Sequence, residues 1–260
     1  ALCWNGPPVH LDYVSKRTNN TIWWTQRMHP SIEHVKLRLS ASSYDLHDTF
    51  HRFGKKWNYF DTSFKTNNWN KTLNWEIRKA NFGTFCREDL IDKKEHWENV
   101  SVILSKNTSM TYHYCGKREI HKEWCKNLKI DQKKINFLGW LTNPEREILN
   151  MAFLLDGEVL GQGLMGMEAL AGKIPIIQPY NTPGFYHNFL KQIKFQKEEQ
   201  IISQKISATV FRNKKELCSI SSDLIHYTRN LEIAEVMHKK YDERVRQAGT
   251  FNELINLIKV

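Results

Sequence analysis

From residue 80 onward, short apolar runs alternate with longer stretches in which apolar residues recur every three or four positions. "ANFGTFCR" reads as a strand ending near Arg87, and "EDLIDKKEHWENVSVIL" as one helix carrying Leu90, Ile91, Trp97 and Val100. "MTYHYCG" is a β-rich run closed by Gly116, and "KREIHKEWCKNLKI" has Ile120, Trp124 and Leu128 at fourfold spacing, as an amphipathic helix requires. "KINFLGW" gives a further strand. In "TNPEREILNM", Asn143 is placed to cap, Pro144 suits the first helical position, and Thr142 with Glu145 has capping-box spacing. "MAFLLDG" is a strand, "GLMGMEALAG" a helix ended by Gly172, and "KIPIIQP" another strand.

Strands alternating with helices at this pitch predict a doubly wound parallel sheet, an α/β domain of Rossmann-like character over 79–205. Residues 206–260 read as a helical tail. Residues 1–78 are rich in Trp, His and Asn and weakly periodic; "NNTIWWT" predicts a strand, while "SIEHVKLRLS" fits a strand or a short helix. A polar linker is expected across 67–79.

Composition narrows this picture. A 40% hydrophobic and 12% aromatic content excludes a disordered chain, and no apolar run reaches the roughly 20 residues of a membrane span. The net charge of +10 favours an anionic partner, but the basic residues are dispersed, so most are expected on a solvated surface. Cys3, Cys86, Cys115, Cys125 and Cys218 are widely spaced without zinc or CxxC spacing, which implies reduced thiols and a cytoplasmic setting. Sequons at Asn19, Asn70, Asn99 and Asn107 arise readily by chance in a chain this rich in Asn, Ser and Thr. The opening "ALCWNGPPVH" has neither a basic lead nor an apolar signal core, and it starts without methionine, so a trimmed or partial chain is expected.

The chemistry concentrates in "GQGLMGMEALAGKIPII". The turn 156–163 follows the strand "MAFLL", the end at which open α/β sheets bind ligands. Gly161 and Gly163 allow close backbone approach, and the helix that follows presents unpaired N–H groups suited to a phosphate. Glu168, in that helix, offers a carboxylate able to accept two hydroxyl hydrogen bonds, as from a ribose or hexose. The pattern matches neither a Walker A loop nor GxGxxG. Its bland reading is a packing turn beside a surface acid.

Residues 81–177 resemble the donor-binding C-terminal half of GT-B glycosyltransferases. "NFGTFCREDLIDKK" is similar to the strand and basic loop that open this half. "INFLGWLTNPEREILNMAFLLDGEVLGQGLMGMEALAGKIPII" is similar to its nucleotide-binding passage. Within that superfamily the branch of protein O-GlcNAc transferase and HMW1C-like enzymes is nearest in character; "WWTQRMHP" resembles an upstream histidine-bearing stretch of that branch. The resemblance implies a nucleotide-sugar-dependent transferase with a GT-B fold, a UDP-sugar donor as substrate, and no resident cofactor or metal. Arg87 and Lys93 would lie near the donor diphosphate, although many relatives carry a lysine where this chain has Asp92. Gly116 and Gly139 would end strands beside the nucleotide, with Trp140 and Leu141 near the base. Gln162 and Gly163 would meet phosphates or sugar, and Glu168 the ribose.

GT-B enzymes draw the acceptor side from an N-terminal domain of well over a hundred residues, so residues 1–78 are expected to be a reduced or partial one. His29 is the expected acceptor-side group among His10, Asp12, His29 and His47. His47 and His51 have the spacing of a helical metal pair, with Asp48 beside them, but no third ligand follows. The implied acceptor is a hydroxyl or amide of a protein, glycan or lipid, and the positive charge suits peripheral contact with an anionic inner membrane leaflet. Nucleic acid is not expected as a partner. The alternative is a non-enzymatic basic module, or a pseudo-enzyme, with salt-sensitive binding to any polyanion.

Overall fold

The computed structural model describes residues 2–4, 22–25, 37–40, 58–59, 74–86, 88–156, 164–180 and 209–247. The chain divides into two compact units, one of residues 1–65 with 243–260, the other of residues 66–242.

The first unit holds a parallel four-stranded sheet. Strands β1 (Leu2–Trp4), β2 (Ile22–Thr25), β3 (Leu37–Ser40) and β4 (Asn58–Tyr59) lie in chain order. Leu2 pairs with Ile22, Ile22 with Leu37 and Leu39 with Asn58. The ambiguous "SIEHVKLRLS" thus contributes a strand.

The second unit opens with a short helix α1 (Trp75–Arg78), capped by Asn74, whose side chain accepts from the Glu76 amide at 3.0 Å. Arg78 points inward and donates to the carbonyls of Met151 at 2.9 Å and Lys173 at 3.4 Å. Strand β5 (Asn81–Thr84) follows, ending three residues before the predicted limit at Arg87. The segment predicted as one helix from Glu88 forms two, α2 (Glu88–Ile91) and α3 (Lys94–Lys106). The reason is visible in the pattern: after Ile91 the next helical core positions fall on Lys94 and Glu95, and the apolar stripe resumes only at Trp97. Lys93 is extended, and Asp92 is engaged outward by the Trp124 indole at 2.8 Å and Arg118 at 3.6 Å.

Strand β6 (Thr111–Tyr114), helix α4 (His121–Leu128), a 3-10 turn (Gln132–Lys134) and strand β7 (Ile135–Phe137) continue the alternation. Helix α5 (Glu145–Ile148) departs from expectation: Pro144 occupies the N-cap position, no side chain caps the helix, and the Pro144 carbonyl accepts from Glu147 and Ile148. Strand β8 (Phe153–Leu155), helix α6 (Leu164–Ala171) and strand β9 (Ile176–Pro179) complete the predicted part.

The tail is not helical throughout. A strand β10 (Val210–Phe211) pairs in parallel with β9 before helices α7 (Lys214–Leu224) and α8 (Tyr227–Gln247). Two residues are too few for a period to register. The start of α7 is well defined, since Asn213 accepts from the Glu216 amide while Glu216 accepts from the Arg212 amide.

The six strands run parallel in the order β7-β6-β5-β8-β9-β10. Phe82, Tyr112 and Phe153 face one another across β6, β5 and β8, with ring centroids 5.0 and 5.4 Å apart. Trp97 of α3 stands edge-on to both Tyr112 and Tyr114 at 5.6 Å, so this helix seals that face of the sheet.

Candidate functional site

Strands β5, β6 and β7 step outward in one direction, and the chain then crosses to β8 on the other side of β5. Crossovers on opposite sides of that reversal carry their loops apart, which opens a crevice beyond the carboxyl ends of β5 and β8. The Thr84 hydroxyl donates to the Leu155 carbonyl at 2.7 Å and so holds the two strand ends together under the crevice. Asp156, the first residue beyond β8, is buried, and its amide donates to the Ile177 carbonyl at 2.8 Å.

The loops after β6 and β7 are joined to one another. Gly116 and Gly139 each stand two residues past their strand, and the Gly116 amide donates to the Gly139 carbonyl at 3.0 Å. A Cβ at Gly116 would lie 3.1 Å from the Glu88 Cβ, so Glu88 would have to give by a few tenths of an ångström to admit one. Gly139 has φ +68 in open space, a left-handed conformation that glycine adopts without strain. The Glu88 carboxylate also accepts from the Lys117 amide at 3.1 Å, which brings the loop after β5 into the same assembly. Trp140 is 66% exposed, with the Lys117 ammonium 5.5 Å from its ring centroid.

Glu168 sits one turn into α6, at the same end of the sheet. Its Oε2 is buried without a hydrogen-bond partner among the described residues. Burial first, and the negative charge of Glu145 second, push its carboxyl above the ordinary range. A partly buried carboxylate oxygen lacking a donor is an acceptor ready for a ligand hydroxyl. Lys93 precedes α3 beyond the carboxyl end of β5 and is half-buried.

Of the residues expected from the sequence, the structure therefore assembles Lys93, Gly116, Gly139, Trp140 and Glu168 at the carboxyl side of one sheet. Arg87, Gln162, Gly163 and His29 lie outside the described residues, as do His10, Asp12, His47, Asp48 and His51. The sequence reading passed over Glu88 and assigned Glu145 only to a cap. Neither residue has a local signal, because each acts on a loop distant in the chain. Among the described residues no three His, Cys, Asp or Glu side chains gather as metal ligands would. Cys86, Cys115, Cys125 and Cys218 are thiols, and no described helix is long and apolar enough to cross a membrane.

No protein-family model and no curated protein matches the sequence. Solved structures do match. S. aureus TarM, in a complex with UDP, α-GlcNAc-glycerol and fondaparinux, superimposes with a TM-score of 0.61 at 12% identity over 97% of this chain. A glycosyltransferase from Rickettsia africae gives a TM-score of 0.66 at 13% identity, covering 99% of this chain and 76% of its own. The chain has the GT-B glycosyltransferase fold. The Thermobaculum terrenum O-GlcNAc transferase shares this GT-B fold with a TM-score of 0.62 at 9% identity over 92% of this chain. TarM and that enzyme match alike, so the likeness fixes the GT-B fold and not a branch within it. The chain spans 46% of the TarM chain and 52% of the Thermobaculum chain, about half of each.

Proposed function

We propose that this chain carries the donor site of a glycosyltransferase that moves a sugar from a nucleoside-diphosphate sugar to a hydroxyl or amide of a protein, glycan or lipid. The observation that carries the reading is Glu168, whose buried Oε2 has no donor among the described residues, beside the crevice of a GT-B sheet. A ribose supplies the missing hydrogen bonds through its vicinal hydroxyls. The presence of UDP in the TarM structure supports uridine as the base.

In this reading the base lies against the joined loops at Gly116 and Gly139, where Trp140 offers an exposed aromatic face. The diphosphate lies toward the start of α6, with Arg87 and Lys93 offsetting the charge that develops as it departs. Gln162 and Gly163 approach the sugar and phosphates, no resident cofactor takes part, and His29 serves the acceptor side. The net charge of +10 suits an acceptor held at an anionic membrane face on the cytoplasmic side.

The test is calorimetry and thermal shift with UDP, GDP, ADP and CMP, on the wild type and on Glu168→Ala. The expected result is stabilisation by UDP above the others, lost in the variant. Equal indifference of the folded protein to all four nucleotides would sink the reading.

A further inference from the structure

Helix α2 is only four residues long, yet it is tied at both ends to the chain that follows β6. Before its start, the Cys86 carbonyl accepts from the Cys115 thiol at 3.6 Å. In its first turn, Glu88 accepts from the Lys117 amide at 3.1 Å. Just past its end, Asp92 accepts from the Trp124 indole at 2.8 Å and meets Arg118 at 3.6 Å. The Glu88 contact is the one that bears on Trp140, and it does so by two routes. One is the Lys117 side chain, whose ammonium lies 5.5 Å from the Trp140 ring centroid. The other is Gly116, which adjoins Lys117 and donates its amide to Gly139, one residue before Trp140, at 3.0 Å.

We propose that Glu88 is a positioning residue for the donor base: by fixing the Lys117 amide it holds Trp140 where the base stacks. The inference rests on the donor reading above. Strand pairing on this side ends with the Leu138 amide on the Tyr114 carbonyl, and the space beside Gly139 is open. Beyond that point the described contacts that steady the loop after β7 are those from Gly116 and Lys117. A loop already held costs less to order when a ligand seats on it, so the hold on Lys117 is read out as nucleotide affinity. What the position demands is an acceptor that reaches the Lys117 amide. Negative charge is not the requirement.

The experiment is titration calorimetry of UDP with the full 260-residue chain, on wild type, Glu88→Gln and Glu88→Asp, each with and without Trp140→Ala. Glu88→Gln keeps an acceptor of equal reach and should lose at most about threefold in affinity. Glu88→Asp keeps the charge in the first turn of α2 but is one methylene shorter, and should lose about tenfold. Trp140→Ala should weaken UDP binding in the wild type and in Glu88→Gln, and far less in Glu88→Asp, where the ring is no longer held. Thermal unfolding of each variant fixes a temperature at which all are folded. Equal affinities across the three, or a greater loss in Glu88→Gln than in Glu88→Asp, overturn the inference and leave the donor site standing. So do losses from Trp140→Ala that simply add, or a wild type indifferent to that change. Absence of UDP binding by the folded wild type overturns both.

Discussion

Thr84 donates its hydroxyl proton to the Leu155 carbonyl across 2.7 Å, a bond between the two strands at which the sheet order reverses. On the neighbouring strand the Tyr112 hydroxyl lies 2.8 Å from His96 Nε2 on α3. All four residues are buried. Two buried polar contacts therefore tie the sheet, one from the covering helix to β6 and one from β5 to the end of β8. Such contacts rigidify when satisfied and are costly when broken.

Thr84→Val keeps the shape and removes the hydroxyl, leaving a buried carbonyl without its donor. A loss of about 1–3 kcal/mol in urea unfolding is expected. Thr84→Ser should recover most of it. Nucleotide affinity should fall with the same ranking, because the strand ends frame the crevice.

Two histidines of the sheet and its covering helix set a pH dependence. Burial pulls His96 down to about 3 and His113 to about 4, so both are neutral in the fold. In the unfolded chain a histidine takes up a proton near 6.5. The stability that neutral His96 contributes is complete above that value and is lost as pH falls toward about 3, at about 1.4 kcal/mol per pH unit. His113, less deeply buried, adds in the same direction. Unfolding midpoints measured at neutral and mildly acidic pH should therefore separate, and His96→Gln should narrow the gap.

The two loop glycines should respond differently. Gly139→Ala forces a side chain into left-handed backbone but open space, with an expected cost of about 1–2 kcal/mol. Gly116→Ala meets the Cβ of Glu88 at 3.1 Å, so the Glu88 side chain that joins the loops must shift. Thermal unfolding and UDP affinity together should show the larger loss in Gly116→Ala, and the affinity loss should exceed what stability alone explains.

Arg78 makes a separate case far from the crevice. Its guanidinium is pulled down to about 10 by burial, and the described residues bring it carbonyls rather than a carboxylate. Arg78→Met leaves the Met151 carbonyl without this donor but also removes a desolvated charge. A net destabilisation of about 1–3 kcal/mol in chemical denaturation is expected, smaller in Arg78→Lys.

The alternation of strands and helices between residues 80 and 180 was legible because short apolar runs alternate there with stretches whose apolar residues recur every three or four positions. The break at Asp92 and the strand at Val210 were not, since one depends on a five-residue gap in an apolar stripe and the other on two residues. Glu168 drew notice in the sequence from its place after a glycine turn, and in the structure its Oε2 is buried. Glu88 and Glu145 were hidden, because each matters only through a loop or helix brought beside it by the sheet.

The hydrogen bond from Gly116 to Gly139 makes the segments 115–119 and 138–143 a single part for the purposes of redesign. Exchanging one of them with a homologous loop would strand an amide on one side or a carbonyl on the other. Donor preference in this scaffold should therefore transfer only when both loops are grafted together, with Glu88 carried along as their common anchor.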